Sequence, residues 1–189
     1  MLNHRQQAWI DAGYQLFAKQ GPPGLKVEVL AREVGKSKSS FYHHFADLEV
    51  FTEFLLQYHL EQTALIYEKE RACRKVVPEL LYVLLEAKTD LLFNRQLRIH
   101  RHIPAFQRCF EKTSQEAATS IQDIWAAELG LAENTRLGVM VLQLTLENFY
   151  LQITPETLTY DWLVHYVTEL KAMVQAFAQH EKRKDDWVK

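Results

Sequence analysis

Apolar residues recur at three- and four-residue intervals along most of the chain, the spacing that gives a helix one buried face. The first stripe, Trp9, Ile10, Gly13, Leu16 and Phe17, predicts a helix from about Asn3 to Gln20. The run Gly21-Pro22-Pro23-Gly24 must end it, because two prolines between two glycines cannot continue a helix. Val27, Leu30, Ala31 and Val34 predict a short second helix, closed by Gly35. Ser37 can cap a third from Lys38 to about His44, and Asp47 a long fourth that reaches toward Arg71. A fifth is expected from Pro78, with Leu81, Leu84, Leu85, the Lys88 stem and Leu92 on its apolar face. Pro104 interrupts the basic segment Arg95 to Arg108, which reads as two short helices or one bent one. A seventh helix runs through Ile121, Ile124 and Trp125 to Gly130, and an eighth from about Asn134 to Ile153, where Pro155 stops it. A ninth begins near Thr157, with Leu163, Tyr166, Val167, Leu170, Val174 and Phe177 on one face.

Composition agrees with that pattern. The 189 residues include six glycines and five prolines, and four of those glycines and all five prolines fall at the breaks between helices. A sheet protein needs more of both for its turns. The balance of 48% hydrophobic and 24% charged residues is that of a globular chain with an ample core, which excludes disorder as the main state. The longest stretch without a charge, Leu137 to Leu146, is ten residues, against the ~20 that a membrane helix needs. Met1 to Gln20 is amphipathic and mixed in charge, unlike a signal peptide. Cys73 and Cys109 have neither CxxC spacing nor metal-ligand company, so idle thiols in a reducing cytoplasm are expected. With a net charge of −2, any affinity for nucleic acid must be local.

One local constellation supplies it. Val27 to Phe45 has the layout of a helix-turn-helix, two short helices joined by a tight turn at Gly35. At ~100° per residue, Lys38, Ser39, Tyr42 and His43 share one face of the second helix, while Phe41 and Phe45 share another. The phenylalanines would dock that helix on the first two. The polar face would be free to enter a major groove, which is wide enough to admit an α-helix. Between Lys36 and His44 there are two lysines and no acid.

The run Gly35-Lys36-Ser37-Lys38-Ser39-Ser40-Phe41-Tyr42-His43-His44-Phe45, followed by Asp47-Leu48-Glu49, resembles the N-terminal domain of TetR-family transcriptional regulators. Upstream, Ala12, Phe17, Gly21, Val27, Leu30 and Ala31 fall where that pattern expects small, aromatic, turn and apolar residues. The resemblance covers about the first fifty residues; the rest matches only in length and helical layout. It implies an all-α fold, with a three-helix helix-turn-helix DNA-binding domain at 1–46 and a larger helical effector-binding and dimerisation domain at 47–189. It implies a regulator, in this family most often a repressor, that binds a palindromic operator as a dimer. Contacts with bases or phosphates carry over to Lys38, Ser39, Tyr42 and His43, with Ser40 and His44 beside them. Two positions depart from the pattern. Lys26 stands where the family often has a capping Thr or Ser, and keeps a phosphate contact. Leu48 stands where it usually has a phosphate-binding Lys, and removes one; Lys36 is placed to compensate. A lost phosphate contact lowers affinity without changing sequence preference.

The remaining signals are weaker. His100 and His102, two apart, would point away from each other on a helix, whereas ligands want i, i+4 spacing, so no metal or other cofactor is expected. Arg95, Arg98, Arg101 and Arg108 read as a solvated face with ion pairs rather than an anion site. No HExxH, GxSxG or P-loop is present, so the chain is not expected to be an enzyme. The eighth helix is apolar on almost every side, which demands burial on both faces. It is either half of a dimer contact with the ninth helix or the central helix of a monomer.

Inward-facing aromatics, Phe54, Tyr58, Phe93, Phe106, Trp125, Phe149 and Tyr166, are either pocket walls or a filled core. Polar neighbours His59, Gln62 and Asn148, with Arg98 or His102, would orient a largely apolar, neutral or weakly anionic effector. The alternative function is a helical ligand-binding protein whose helix-turn-helix no longer reads DNA.

Overall fold

The computed structural model describes residues 4–185, and its regular structure across them is helical. The predicted first residue of the first helix, Asn3, lies outside the described residues. Contacts divide the chain into two compact units, Met1–Tyr67 with Ala87–Ala117, and Glu68–Glu86 with Ala118–Lys189.

In the first unit, α1 (His4–Gln20) ends at Gly21 and a single 3₁₀ turn, Pro22–Gly24. Gly21 has φ 66°, and a Cβ there would lie 2.7 Å from Gln96 Oε1 and 2.8 Å from His100 Nε2, so both conformation and space require glycine. α2 (Val27–Val34) closes on Gly35 in the left-handed region, φ 66° and ψ 35°. Ser37 caps α3 (Lys38–Tyr42) by accepting the Ser40 N–H at 3.2 Å, and Asp47 caps α4 (Leu48–Ala72) by accepting the Val50 N–H at 2.9 Å. Trp9, Ile10, Phe17, Leu30, Phe41, Phe45 and Phe51 fill the core. The Phe41 ring meets Trp9 edge-on at 5.4 Å and lies 5.5 Å from Phe51, which fastens α3 to both α1 and α4. α1 also packs along α6 (Lys88–Ile99), where Phe17 lies 4.3 Å from Phe93.

The second unit holds α5 (Leu81–Glu86), α8 (Thr135–Gln152) and α9 (Tyr160–Asp185), with α5 packed on α9. The Asn134 side chain caps α8 through the Leu137 N–H at 3.1 Å. Tyr82 stacks on Tyr160 at 5.3 Å, and Phe149 lies among Tyr150, Trp162 and Tyr166. α4 and α7 (Pro104–Glu128) contribute residues to both units.

The pattern reading fails in the middle of the chain. The expected fifth helix breaks at Ala87 into α5 and α6. The basic segment is not a pair of short helices: it is the end of α6, a turn, and the start of one 25-residue helix, α7. Pro104 opens α7 rather than interrupting a helix, because the first helical residue has no use for an N–H. α3 stops at Tyr42, short of His44, and α9 starts at Tyr160 rather than Thr157. Phe54 and Phe177 were expected inward and are 39% and 68% exposed.

Candidate nucleic-acid interface

The two phenylalanines decide which way α3 faces. With Phe41 and Phe45 buried, Lys36, Lys38, Ser39, Tyr42 and His43 are exposed, and Ser40 and His44 are partly buried. Tyr42 is 56% exposed and rests edge-on against Phe41 at 5.4 Å, an aromatic side chain presented to solvent with its hydroxyl free to bond. The Gln6 side chain donates to the His44 carbonyl at 3.3 Å, a polar tie between α1 and the segment after α3. Lys26 is exposed at the N-cap of α2 and makes no side-chain cap bond. Leu48, the first residue of α4, is half-buried.

Sequence reasoning missed one residue here. Glu28, in the first turn of α2, accepts from Lys38 Nζ at 2.6 Å across the helix-turn-helix. That hydrogen bond is the chief cause holding the Glu28 carboxyl below its ordinary range. The pairing depends on how two helices cross, so no fixed spacing announces it.

The residues expected at an effector fall into two groups. In the first unit His59 is fully buried, stacked on Phe93 at 4.2 Å, with Nδ1 2.5 Å from the Tyr14 hydroxyl. That hydroxyl donates to Asp90 Oδ1 at 2.6 Å. Burial pushes the His59 ring down to about 3, against a smaller upward pull from the Asn94 side chain, so it is neutral at physiological pH. Burial also raises Asp90, against the pull of the Tyr14 hydrogen bond, and it raises Tyr14 well above its ordinary value. Tyr58 packs edge-on against Tyr14 at 5.2 Å, half-buried, and Gln62 is half-buried one turn further along α4. Arg98 lies over the Phe110 ring at 4.7 Å, and Arg95 Nε is buried without a partner. The arginines are therefore not one solvated face, although Arg101 and Arg108 are exposed.

His102 is exposed. It and His100 lie in the turn between α6 and α7 with their rings 5.9 Å apart, so the helical angle expected between them does not apply. In the second unit Trp125 and Phe149 are buried, and Asn148 is exposed, its Oδ1 accepting from the Tyr166 hydroxyl at 3.1 Å. Among the described residues no three His, Cys, Asp or Glu side chains gather where they could hold a metal ion.

A short helix held by its apolar side, with a basic and polar face turned outward after a tight glycine turn, has the layout of a helix-turn-helix. Residues 10–49 match the model of the bacterial regulatory proteins of the tetR family. That stretch takes in the residues on which the resemblance was read from the sequence, the helix-turn-helix and the start of α4. No curated protein matches the chain in sequence.

Its fold resembles that of a transcriptional regulator from Rhodococcus sp. Rha1, with TM-score 0.64 and 15% identity, over 89% of this chain and 95% of that one. A protein from Mesorhizobium loti assigned to the TetR family is similar at TM-score 0.57 and 15% identity, over 92% and 96%. The multidrug binding protein EbrR, crystallised with imidazole, is similar at TM-score 0.52 and 20% identity, over 89% and 96%.

Proposed function

We propose that the protein is a one-component repressor that binds a palindromic operator as a homodimer and is released or retained by a small molecule. The observation that carries this reading is the outward face of α3: Lys38, Ser39, Tyr42 and His43 are exposed on a helix that Phe41 fixes from behind. Bases would be read from that face, with Lys26, Lys36, Ser40 and His44 at its margins. DNA reading would belong to residues 1–46, and effector binding and dimerisation to 47–189. Dimerisation is supported by the apolar side chains that α8 and α9 leave exposed, Leu137, Met140, Leu144 and Leu151 on one and Met173 and Phe177 on the other. Paired with a second copy, those helices would form a four-helix contact. Control by a small molecule is supported by the likeness to EbrR, whose structures hold imidazole and proflavin. No described helix is long and apolar enough to cross a membrane, and the reading places the protein in the cytoplasm with its operator.

Selection of fragments from the source genome tests the reading directly. Two symmetric recognition helices should enrich a palindrome with half-sites one helical turn or more apart. Tyr42→Ala should lower affinity for that site by ~1–3 kcal/mol and relax preference at one position per half-site. If no palindrome is enriched at moderate salt, the regulator reading fails, and a helix-turn-helix that no longer reads DNA takes its place.

A further inference from the structure

The ion pair between Glu28 and Lys38 spans the helix-turn-helix at 2.6 Å, with the two side chains 61% and 56% exposed. A pair so open to water adds little to folding stability. On a surface that binds DNA it works against affinity, because the carboxylate repels phosphates and occupies a lysine that would otherwise attract them. The other acid of α2, Glu33, lies about 140° further round the helix, so Glu28 is the α2 acid that faces α3. Lys26, at the N-cap of α2, also acts on its charge. A lone lysine on such a face takes any phosphate within reach, and phosphate contacts carry no sequence information. Held by Glu28, Lys38 instead presents N–H donors beside a carboxylate acceptor, one hydrogen bond apart. A G·C pair shows the complement in the major groove: guanine N7 and O6 accept, and the cytosine N4 amino group beside them donates. A·T or C·G in the same place sets an amino group against the lysine and a carbonyl against the carboxylate, so both contacts fail. T·A keeps the order but offers the lysine a single acceptor, with the thymine methyl beside it.

We propose that Glu28 is a specificity-determining residue, which with Lys38 reads one G·C pair in each half-site, guanine against Lys38 and cytosine against Glu28. The proposal rests on the operator-binding reading above and names a base pair within its substrate. Over that pair each side chain keeps its bond to the other and gains one to a base, so both charges stay matched as water leaves the groove. Over any other pair the carboxylate or the ammonium loses water without a full set of bonds in exchange. Glu28 thus lowers affinity for DNA in general and lowers it least at the right sequence, so that discrimination comes from an unfavourable contact as much as from a favourable one.

The test is selection from random duplexes by the full chain and by Glu28→Ala, Glu28→Gln and Lys38→Ala. Both positions are exposed, so the variants should fold as the parent does, which circular dichroism checks. The parent should enrich a palindrome with a G·C pair fixed once in each half-site. Glu28→Ala should keep the palindrome, lose about tenfold of the preference for that G·C pair, and bind an unrelated duplex more tightly. Lys38→Ala should relax the same base pair while binding the unrelated duplex more weakly. Glu28→Gln, which keeps an acceptor oxygen without the charge, should retain the preference. A palindrome whose base preferences are identical for the parent and Glu28→Ala would overturn the proposal and leave the regulator reading standing, since Glu28 would then act as a repelling charge alone. Relaxation at different base pairs in Glu28→Ala and Lys38→Ala would overturn it too, because the two would not be reading as a unit. No enriched palindrome for the parent would end the regulator reading, and this proposal with it.

Discussion

Gly13 sits in the middle of α1, where glycine costs ~1 kcal/mol relative to alanine. A Cβ at that position would stand 2.5 Å from Phe51 Cζ and 2.9 Å from Cε1, and the Phe51 ring is fully buried among Phe41 and Phe45. Gly13→Ala should therefore destabilise the chain by ~1–3 kcal/mol despite the better helix former, because the ring has no room to yield. Urea unfolding decides it, and an unchanged or raised midpoint would mean the ring can move. Glu28 makes a second prediction at this scale. Its carboxylate holds Lys38 on the exposed face of the helix-turn-helix and adds negative charge there. Glu28→Gln should strengthen operator binding a few-fold, the scale of an exposed ion pair, and steepen the logarithmic salt dependence by about one. Equal affinity and slope in a titration at several salt concentrations would show that Lys38 already leaves Glu28 when DNA arrives.

α8 separates two kinds of apolar residue that periodicity alone runs together. Leu142 is 2% exposed and Leu144 is 69% exposed. Leu142→Glu places a charge in the core of the protomer and should unfold it, since a buried unpaired charge costs several kcal/mol against a domain stability of ~5–15 kcal/mol. Leu144→Glu should leave the fold intact and yield monomers. Circular dichroism with equilibrium sedimentation separates the outcomes, and a unaltered protein that is monomeric at micromolar concentration would refute the dimer. What could be read of the elements followed their punctuation. Gly35, Ser37, Asp47 and Asn134 act locally on the backbone beside them, and each marks its helix end in the structure. The break at Ala87 has no glycine or proline, so nothing local announces it. Pro104 announces a boundary without saying which side of it is helix. His59 was legible as a polar position on α4, but its hydrogen-bond partner Tyr14, and Asp90 beyond it, are distant in the chain, and no spacing rule joins them.

For the molecule as a whole, two buried titratable groups set opposing responses to acid. Glu70, near the end of α4, is buried, and its carboxylate accepts the Ser120 hydroxyl. Burial raises it to about 7 from an ordinary 4.5. The folded state therefore binds a proton more readily than the unfolded one, and the stability this gives is full below pH 4.5 and lost as pH rises to about 7. His59 works the other way, since its ring is lowered from 6.5 to about 3, and stability falls as pH drops from 6.5 toward 3. Between about pH 4.5 and 6.5 the two slopes oppose each other. Glu70→Gln should remove one of them, so that unfolding free energy falls on acidification by ~1.4 kcal/mol per unit, and the variant should be more stable than the parent at pH 8. Thermal unfolding across that range checks it; identical profiles would mean that Glu70 is hydrated in solution. A different consequence follows from how α3 is held. Phe41 fastens it from behind, while Lys38, Ser39, Tyr42 and His43 are exposed, Lys38 paired with the exposed Glu28 and Tyr42 resting against the edge of Phe41. Those four side chains are free to change without disturbing the fold, so duplicated genes for such a protein could drift apart in the DNA they read while both products stayed equally well folded.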